Sequence, residues 1–490
     1  MKLQTLLQAL PFAKVEGEHT NPDITAIEQD SRKVTPGSLF ICITGENFDG
    51  HSFASEAERK GAVAVVAQKP VDVNIPVIYV RDTKRAMAKL AARFYRHPSE
   101  QLYIFGVTGT NGKTSVTHML DHLFREAGKK TGLIGTLYMK IDDETIPTVN
   151  TTPDSLTLQK TFRNMIDRDV EIVNMEISSH ALINGRVWGT DVDVAIFTNL
   201  SQDHLDFHGT MDEYRNVKGL LFSQLGNQYG KKPKFAVLNA DDPVSTDYEM
   251  ITSAHILKYG IENDADVSAR NIEFNGKGTT FDLITPKGTR KVETPLLGLF
   301  NVYNLLATFT CGLIYGLELD EMIAGLETFT GVAGRFERVH EGQSFPVIVD
   351  YAHTPDSLEN VLKTVRSLVP GKIIVVVGCG GDRDQKKRPL MAQIACRYAD
   401  YPIFTSDNPR SEDPRAIIHD MEAGVKGADY IVIVDRKEAI EHAIKSAQKE
   451  DAVLIAGKGH ETYQIIGDQV FDFDDREVAR KALRERDDIE

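Results

Sequence analysis

The apolar run Leu102-Tyr103-Ile104-Phe105 leads into Gly106-Val107-Thr108-Gly109-Thr110-Asn111-Gly112-Lys113-Thr114. The helix-compatible stretch Ser115-Val116-Thr117-His118-Met119-Leu120 follows. This reads as a strand that ends in a glycine-rich turn and feeds a helix. Backbone N–H groups of such a turn and of the helix start point at one spot, where they hold phosphate oxygens. Lys113 is placed to reach β- and γ-phosphates, and Thr114 to ligate Mg²⁺. The spacing departs from the strict phosphate loop, whose first glycine would fall on Val107; the glycines stand at 106 and 109 instead. A bare Gly-x-x-Gly also suits an ordinary tight turn, but Gly-Lys-Thr between strand and helix makes a nucleotide site the expectation.

What surrounds this loop is a large chain. At 490 residues it exceeds what one hydrophobic core supports, so two to four domains are expected. Hydrophobic content of 41% and charged content of 26% are those of a soluble globular protein. A net charge of −15 with no long basic run argues against nucleic acid as a partner, and leaves any anionic substrate to local cations and backbone donors. Cys42, Cys311, Cys379 and Cys396 show no metal-type pairing and are too sparse for a disulfide framework, which fits a reducing compartment. The N-terminus lacks a signal-peptide core, and no stretch approaches the roughly 18 apolar residues of a membrane span. A cytoplasmic protein, monomeric and without membrane insertion, is expected.

Three blocks divide the chain. Residues 1–98 hold short strands such as Ser38-Leu39-Phe40-Ile41-Cys42-Ile43 and Ala62-Val63-Ala64-Val65-Val66, then a helical stretch over 84–95. Residues 99–332 begin at the phosphate-loop strand and continue through Ile172-Val173-Asn174-Met175-Glu176-Ile177, Val194-Ala195-Ile196-Phe197 and Phe235-Ala236-Val237-Leu238. Within this block, 265–293 alternates with period two between glycine turns, which predicts an antiparallel excursion. Gly331-Val332-Ala333-Gly334 reads as a hinge into residues 333–490. There, apolar strands near 346–350, 372–377, 402–405, 430–434 and 452–456 alternate with helical patterns, the rhythm of a parallel, doubly wound sheet. Thr354-Pro355 and Asp413-Pro414 mark helix starts, with proline at the first helical position. The fold class is therefore α/β throughout.

Several polar groups fall where parallel strands end, the edge at which α/β sheets present ligand-binding residues. Glu176 closes one strand. His204 lies just past another, in Ser201-Gln202-Asp203-His204. With Thr114 they suit a phosphate-bridged Mg²⁺, although capped loops and an ordinary satisfied histidine explain each alone. Lys218 follows the helix start Thr210-Met211-Asp212-Glu213 and lies on or beside the apolar stripe of Met211, Tyr214, Val217, Leu220 and Leu221. Two readings are open: the ammonium snorkels to solvent, or desolvation lowers its pKa and leaves a reactive amine. In the third block the strand ends carry Asp350 and His353, then Gly380-Gly381-Asp382-Arg383-Asp384, then Asp407-Asn408-Pro409-Arg410, then Gly457-Lys458-Gly459-His460-Glu461. Arginines beside acids suit a zwitterionic ligand, its carboxylate on a guanidinium fork and its amine on the acids.

Gly109-Thr110-Asn111-Gly112-Lys113-Thr114 resembles the phosphate loop of the Mur ligase family, which includes folylpolyglutamate synthases. Other landmarks of that family follow in order: Gly298-Leu299-Phe300-Asn301-Val302-Tyr303-Asn304, Gly334-Arg335-Phe336-Glu337 and Asp350-Tyr351-Ala352-His353-Thr354-Pro355. The resemblance spans the chain. It implies a three-domain ligase: a UDP-precursor-binding domain at 1–98, a central ATP-binding domain at 99–332 and a Rossmann-like amino-acid-binding domain at 333–490. It places ATP on Gly109, Thr110, Asn111, Gly112, Lys113, Thr114, Asn301, Asn304, Arg335 and Asp350. It places the UDP-linked precursor on Ser31, His51, Asn150, Thr151, Thr152, Ser178 and Arg186. Thr114, Glu176, His204 and Lys218 would hold Mg²⁺, with Lys218 carbamylated by CO₂ into N6-carboxylysine. Lys113, Lys218, His204 and Arg335 would be catalytic.

Within the family, the resemblance is to members that extend UDP-N-acetylmuramoyl-L-alanyl-D-glutamate by a third amino acid for peptidoglycan. Asp407-Asn408-Pro409-Arg410 is the form associated with meso-diaminopimelate, and Arg383, Gly457 and Glu461 match its other contacts. The implied reaction passes the γ-phosphoryl of ATP to the D-Glu γ-carboxylate, and the diaminopimelate amine then attacks the acyl phosphate. Closure of the blocks would assemble the site and exclude water. Three alternatives stand beside this: addition of L-lysine, a folylpolyglutamate synthase, and a non-catalytic nucleotide switch.

Overall fold

Strand Ser38–Ile41 shows how the sequence makes layers. Leu39 and Ile41 face a core with Leu3, Leu6, Met87 and Leu90, while Phe40 and the following Cys42 face a second core with Ala54 and Ala57. Alternate side chains point to opposite faces, so this strand, buried at every position, is covered on both sides. The structure, a computed structural model, describes residues 1–17, 20–45, 48–227, 232–275 and 278–486. Its contacts divide the chain into two units, Met1–Gly106 with Gly128–Val194, and Val107–Ala127 with Ala195–Glu490.

The first unit holds a five-stranded sheet in the order Lys14–Glu16, Val77–Tyr79, Ala62–Ala67, Ser38–Ile41, Ala26–Glu28. All its pairs are parallel except the first. Helix Thr83–Phe94, capped by the Asp82 carboxylate on the Arg85 N–H, covers one face. The unit also carries Ile172–Glu176 paired parallel with Thr131–Ile134, which continues antiparallel into Met139–Ile141 and Glu144–Ile146.

In the second unit, Phe235–Asn239, His255–Gly260 and Val267–Asn275 pair in parallel. The chain then turns antiparallel through Gly278–Thr285 and Gly288–Thr294, the excursion expected from its alternation. The C-terminal sheet has the order Glu337–Val339, Val347–Asp350, Ala452–Ala456, Ile373–Val377, Tyr401–Phe404, Ile431–Val432, parallel except at its first pair. Its central strands alternate like Ser38–Ile41: Val375 and Val377 face one core, Ile374 and Val376 the other. Both proline-marked helices form, Pro355–Leu368 behind a Thr354–Ser357 capping box and Pro414–Glu422 behind Asp413. Because Val347–Asp350, Ala452–Ala456, Ile373–Val377 and Tyr401–Phe404 run parallel, the loops after residues 350, 377, 404 and 456 leave from one edge.

Candidate active site

In the second unit, Gly109 (φ +146°) and Gly112 (φ +88°) bend the loop into helix Lys113–Glu126. A Cβ on Gly112 would lie 2.7 Å from Asn304 Oδ1, so only glycine lets the loop approach that side chain. Lys113 folds back, donating to the carbonyls of Gly109 (2.9 Å) and Thr110 (2.8 Å). Asn111 is fixed by the Asn199 carboxamide on its N–H (2.9 Å) and donates to Asp356 (3.0 Å). Beside the loop is a cavity of about 250 Å³ lined by Asn111, Gly112, Tyr303, Asn304, Arg335 and Asp350, among others. Asn301 anchors to the Leu297 carbonyl (2.9 Å) at the start of helix Leu299–Tyr315. Arg335 lies over the Tyr351 ring (4.5 Å) and donates Nη2–H to Thr114 Oγ1 (3.1 Å). Its Nε–H is buried with no hydrogen-bond partner. Asp350 accepts from the Phe336 N–H (2.6 Å), and burial pushes its pKa above the usual carboxylate value against the pull of Arg335.

Lys218, in helix Met211–Ser223, is 1% exposed. Its Nζ–H donates to the Gly109 carbonyl (2.8 Å), and Nζ lies 4.4 Å from the Tyr214 ring centroid. The snorkelling reading is excluded. Desolvation, together with the nearby charge of Lys113, holds its pKa well below that of an ordinary lysine. His204 adopts left-handed backbone (φ +55°) at the start of the short helix Leu205–His208, a conformation unusual for a non-glycine residue. Its Nε2 is 3.4 Å from Asp203. The buried Asp203 also meets His353 Nε2 (3.6 Å) and Lys387 Nζ (3.6 Å). Burial raises the Asp203 pKa, but His353, Lys387 and His204 outweigh it and hold the carboxyl well below its usual range.

The four polar loops of the C-terminal sheet do meet. Arg410, again left-handed (φ +52°), donates Nη1–H to the Gly381 carbonyl (2.7 Å) and its N–H to Ile465 O (3.1 Å). Asn408 Oδ1 accepts from Lys458 (3.1 Å) and the Ile465 N–H (3.0 Å), which turns its NH₂ toward Glu461 (2.8 Å). The buried Lys458 pairs with Glu461 as well (3.0 Å). Pro409 is buried between Asn408 and Arg410, where the chain bridges to Ile466. The carboxyl of Asp407 would be raised by burial, but Arg436, Lys458 and Arg410 hold it low. Arg383 is exposed and donates to its neighbour's carbonyl, Asp382 O (3.0 Å).

In the first unit, Thr136 satisfies Glu176 through its N–H (2.8 Å) and its hydroxyl (3.0 Å), the hydroxyl also lying 3.1 Å from Thr151 Oγ1. Thr152 donates to the Glu176 carbonyl (2.8 Å) and accepts the Ser178 N–H (3.1 Å), while Arg186 donates to the Thr152 carbonyl (3.0 Å). Thr151, Thr152, Ser178 and Arg186 thus form one cluster, with the exposed Asn150 at its rim. A cavity of about 1010 Å³ in the same unit is lined by Ser31, Arg32, Phe48, Lys84, Asn184 and Arg186, among others. His51 does not join it. Its Nε2 accepts the Gln68 N–H (3.0 Å), so Nδ1 carries the proton and gives it to Asp49 (2.6 Å). Both ring nitrogens are used inside the fold.

The sequence matches three families over consecutive segments. These are "Mur ligase family, catalytic domain" over residues 23–95, "Mur ligase middle domain" over 107–312 and "Mur ligase, glutamate ligase domain" over 334–459. It is 61% identical to the UDP-N-acetylmuramoyl-L-alanyl-D-glutamate–2,6-diaminopimelate ligase of Geobacillus thermodenitrificans, over 99% of this chain and 100% of that one. The chain belongs to the Mur ligase family. To the ligase of the same name from Listeria monocytogenes it is 56% identical over 99% of both chains. A solved UDP-N-acetylmuramoyl-L-alanyl-D-glutamate–2,6-diaminopimelate ligase superimposes with a TM-score of 0.70 at 34% identity, covering 99% of each chain. A Mycobacterium tuberculosis folylpolyglutamate synthase shares the fold alone, with a TM-score of 0.64 at 17% identity over 82% of this chain and 96% of that one.

As a Mur ligase the chain is a three-domain α/β, ATP-dependent, ADP-forming enzyme that uses Mg²⁺. The cradle beside Gly112 and the partnerless Arg335 Nε–H suit a triphosphate. Among the described residues no three His, Cys, Asp or Glu side chains are grouped to hold a metal, and none of the helices is long and apolar enough to cross a membrane. Three residues with evident roles escaped the sequence reading. Asp203 sits inside a string already singled out, but its partners His353 and Lys387 are remote. Lys458 was visible only as one of several loop charges. Nothing local to Arg436 marks it as the neighbour of Asp407.

Proposed function

We propose that this ligase joins meso-diaminopimelate to the D-Glu γ-carboxylate of UDP-N-acetylmuramoyl-L-alanyl-D-glutamate, as a cytoplasmic monomer in peptidoglycan precursor synthesis. The observation that carries this is the convergence of Asp407, Asn408, Arg410 and Glu461 at one sheet edge, in the same unit as the phosphate loop. A carboxylate does not acylate an amine at neutral pH, and phosphorylation by ATP supplies the leaving group.

Lys113 exchanges its two loop carbonyls for β- and γ-phosphate oxygens, and Arg335 turns its Nε–H toward the charge that develops on the transferring phosphoryl. Asn304 and Asp350 line the nucleotide cavity, and Asn301, outside its lining, accepts from the Asn304 NH₂ (3.4 Å). The neutral amine of Lys218 is nucleophilic enough to add to CO₂: the N–C bond forms as one C=O π pair moves to oxygen, and an amine proton is lost to solvent. The carbamate, with Thr114 and His204, would hold Mg²⁺, which would offset charge on the phosphoryl oxygens. Ser31, Thr151, Thr152, Ser178 and Arg186 bind the precursor in the first unit. Glu461, oriented by the Asn408 NH₂, receives the ammonium at one end of diaminopimelate beside Asp407, and Arg410, with Arg383, grips the distal carboxylate that L-lysine lacks.

The test is an amino-acid panel with UDP-N-acetylmuramoyl-L-alanyl-D-glutamate and ATP, read by product mass. Diaminopimelate product with phosphate release dependent on the added amino acid is expected. Equal use of lysine overturns the acceptor assignment, and phosphate release without any amino acid overturns the ligase reading. For Lys218, ¹³C-labelled CO₂ should give a carbamate resonance that Lys218→Ala lacks.

A further inference from the structure

Arg436 opens helix Arg436–Ser446, outside all four acceptor loops, and its side chain is 1% exposed. It makes a two-bond fork with Asp475, Nε to Oδ1 at 2.8 Å and Nη2 to Oδ2 at 2.7 Å. Asp475 is itself fully buried at the start of helix Asp475–Arg484. The remaining donors reach two carbonyls, Ala456 O from Nη2 (2.9 Å) and Ser406 O from Nη1 (3.4 Å). Ala456 ends strand Ala452–Ala456 and immediately precedes Gly457. Ser406 follows strand Tyr401–Phe404 and immediately precedes Asp407. One guanidinium therefore holds the roots of two acceptor loops.

Those roots are packed tightly. Gly457 is left-handed (φ +117°), and a Cβ there would lie 2.7 Å from Asp407 Oδ2. A shift at either strand end is passed to the other loop. A buried ion pair by itself is weak evidence of a need for charge, since apolar replacements are often as stable. An apolar side chain cannot donate to two carbonyls at once, however, and a planar fork fixed by Asp475 can.

We propose that Arg436, held by Asp475, is a positioning residue for the acceptor amino acid, fixing two strand ends so that Asp407, Asn408 and Gly457 face one spot. This rests on the acceptor site assigned above. Arg436 also faces Asp407 electrostatically, together with Lys458 and Arg410, with Glu461 as the nearby opposing charge.

The test compares Arg436→Met, Arg436→Lys and Asp475→Asn in the full-length enzyme, with kcat and KM measured separately for amino acid and ATP. Arg436→Met should raise KM for the amino acid roughly 10- to 100-fold, as small misplacements of binding groups do, with KM for ATP unchanged. Its acid-side rise in amino-acid KM should begin at higher pH than in the wild type, because Asp407 has lost its strongest cation. Arg436→Lys should recover part of the affinity, restoring charge but not the fork. Asp475→Asn should show the same split more mildly. A normal amino-acid KM in these variants, or an ATP KM that rises in step, overturns the proposal. Should Arg436→Met fail to fold, the other two variants decide. Failure of the acceptor assignment shows separately, in the wild type, as a product of different mass; KM is then measured for that amino acid.

Discussion

The phosphate loop and the acceptor edge both handle charged ligands, yet they are held in shape by different means. At the loop, the ligand-facing groups are mostly backbone, set by glycine torsions over a few consecutive residues and anchored by the Asn199 carboxamide and the Nζ–H donors of Lys113 and Lys218. At the acceptor edge, buried side chains hold the loops from behind. Arg388 forks onto Glu412 (2.8 and 2.9 Å) and reaches Asp420 (2.8 Å), while Glu412 accepts the Asp382 N–H (2.6 Å). Arg436 and Lys458 do the same for the loops that begin at Asp407 and Gly457. A backbone cradle fits any polyphosphate, because every triphosphate presents the same oxygens. A scaffold of side chains can be re-aimed by single substitutions, which suits the part of a ligase family that must tell one amino acid from another.

Removing a group from each region should separate these roles. Lys113→Ala strips the point charge from the phosphates, and a loss of about 3–4 kcal/mol of transition-state stabilisation slows kcat by roughly 10²–10³. Circular dichroism should show an intact fold, and near-normal kcat would mean that the loop does not serve phosphoryl transfer. Arg410→Ala should lower kcat/KM for diaminopimelate by at least 30-fold, the low end of the about 2–5 kcal/mol lost on truncating a buried charge pair. Isothermal titration should find ATP affinity retained; a parallel loss of ATP affinity would break the contrast between the regions.

Gly112→Ala tests the backbone side alone. Left-handed strain of about 1–3 kcal/mol, with the encounter with Asn304, should weaken nucleotide binding about tenfold or more while amino-acid KM is unchanged. The smallest effect concerns pH. Asp203 has a folded-state pKa below its unfolded value near 3.9, so its stabilisation is complete above that pH and is lost as pH falls through the folded value. The Tm difference between wild type and Asp203→Asn should be constant near neutrality and should close on acidification below about pH 4. A gap that widens in acid would mean that His353 and Lys387 do not act on this carboxylate.

How much could be read in advance follows the same division. The strand, turn and helix around Lys113, the antiparallel excursion after residue 265 and the rhythm of the C-terminal sheet are local patterns, and each formed where expected. Lys218 was ambiguous because a helical stripe fixes the angle of a side chain but not the depth of its tip. For His51 the resemblance implied a ligand-binding role, and the ring nitrogens bridge Asp49 and the Gln68 backbone, partners that depend on tertiary placement. Asp203, Arg388 and Arg436 were opaque for one reason. Each is defined by partners brought close only by sheet order, and a buried charge has no signature until its counter-charge is located.

The carbonyl of Gly109 accepts from both Lys113 and Lys218. Two ammonium groups on one oxygen repel each other, which is part of why Lys218 sheds its proton readily. A triphosphate that draws Lys113 away removes one competitor and supplies negative charge, and both changes make a proton on Lys218 more favourable. Nucleotide occupancy and proton occupancy are therefore coupled across a single oxygen, so ATP binding to the unmodified enzyme should take up protons from the buffer in the pH range where Lys218 titrates.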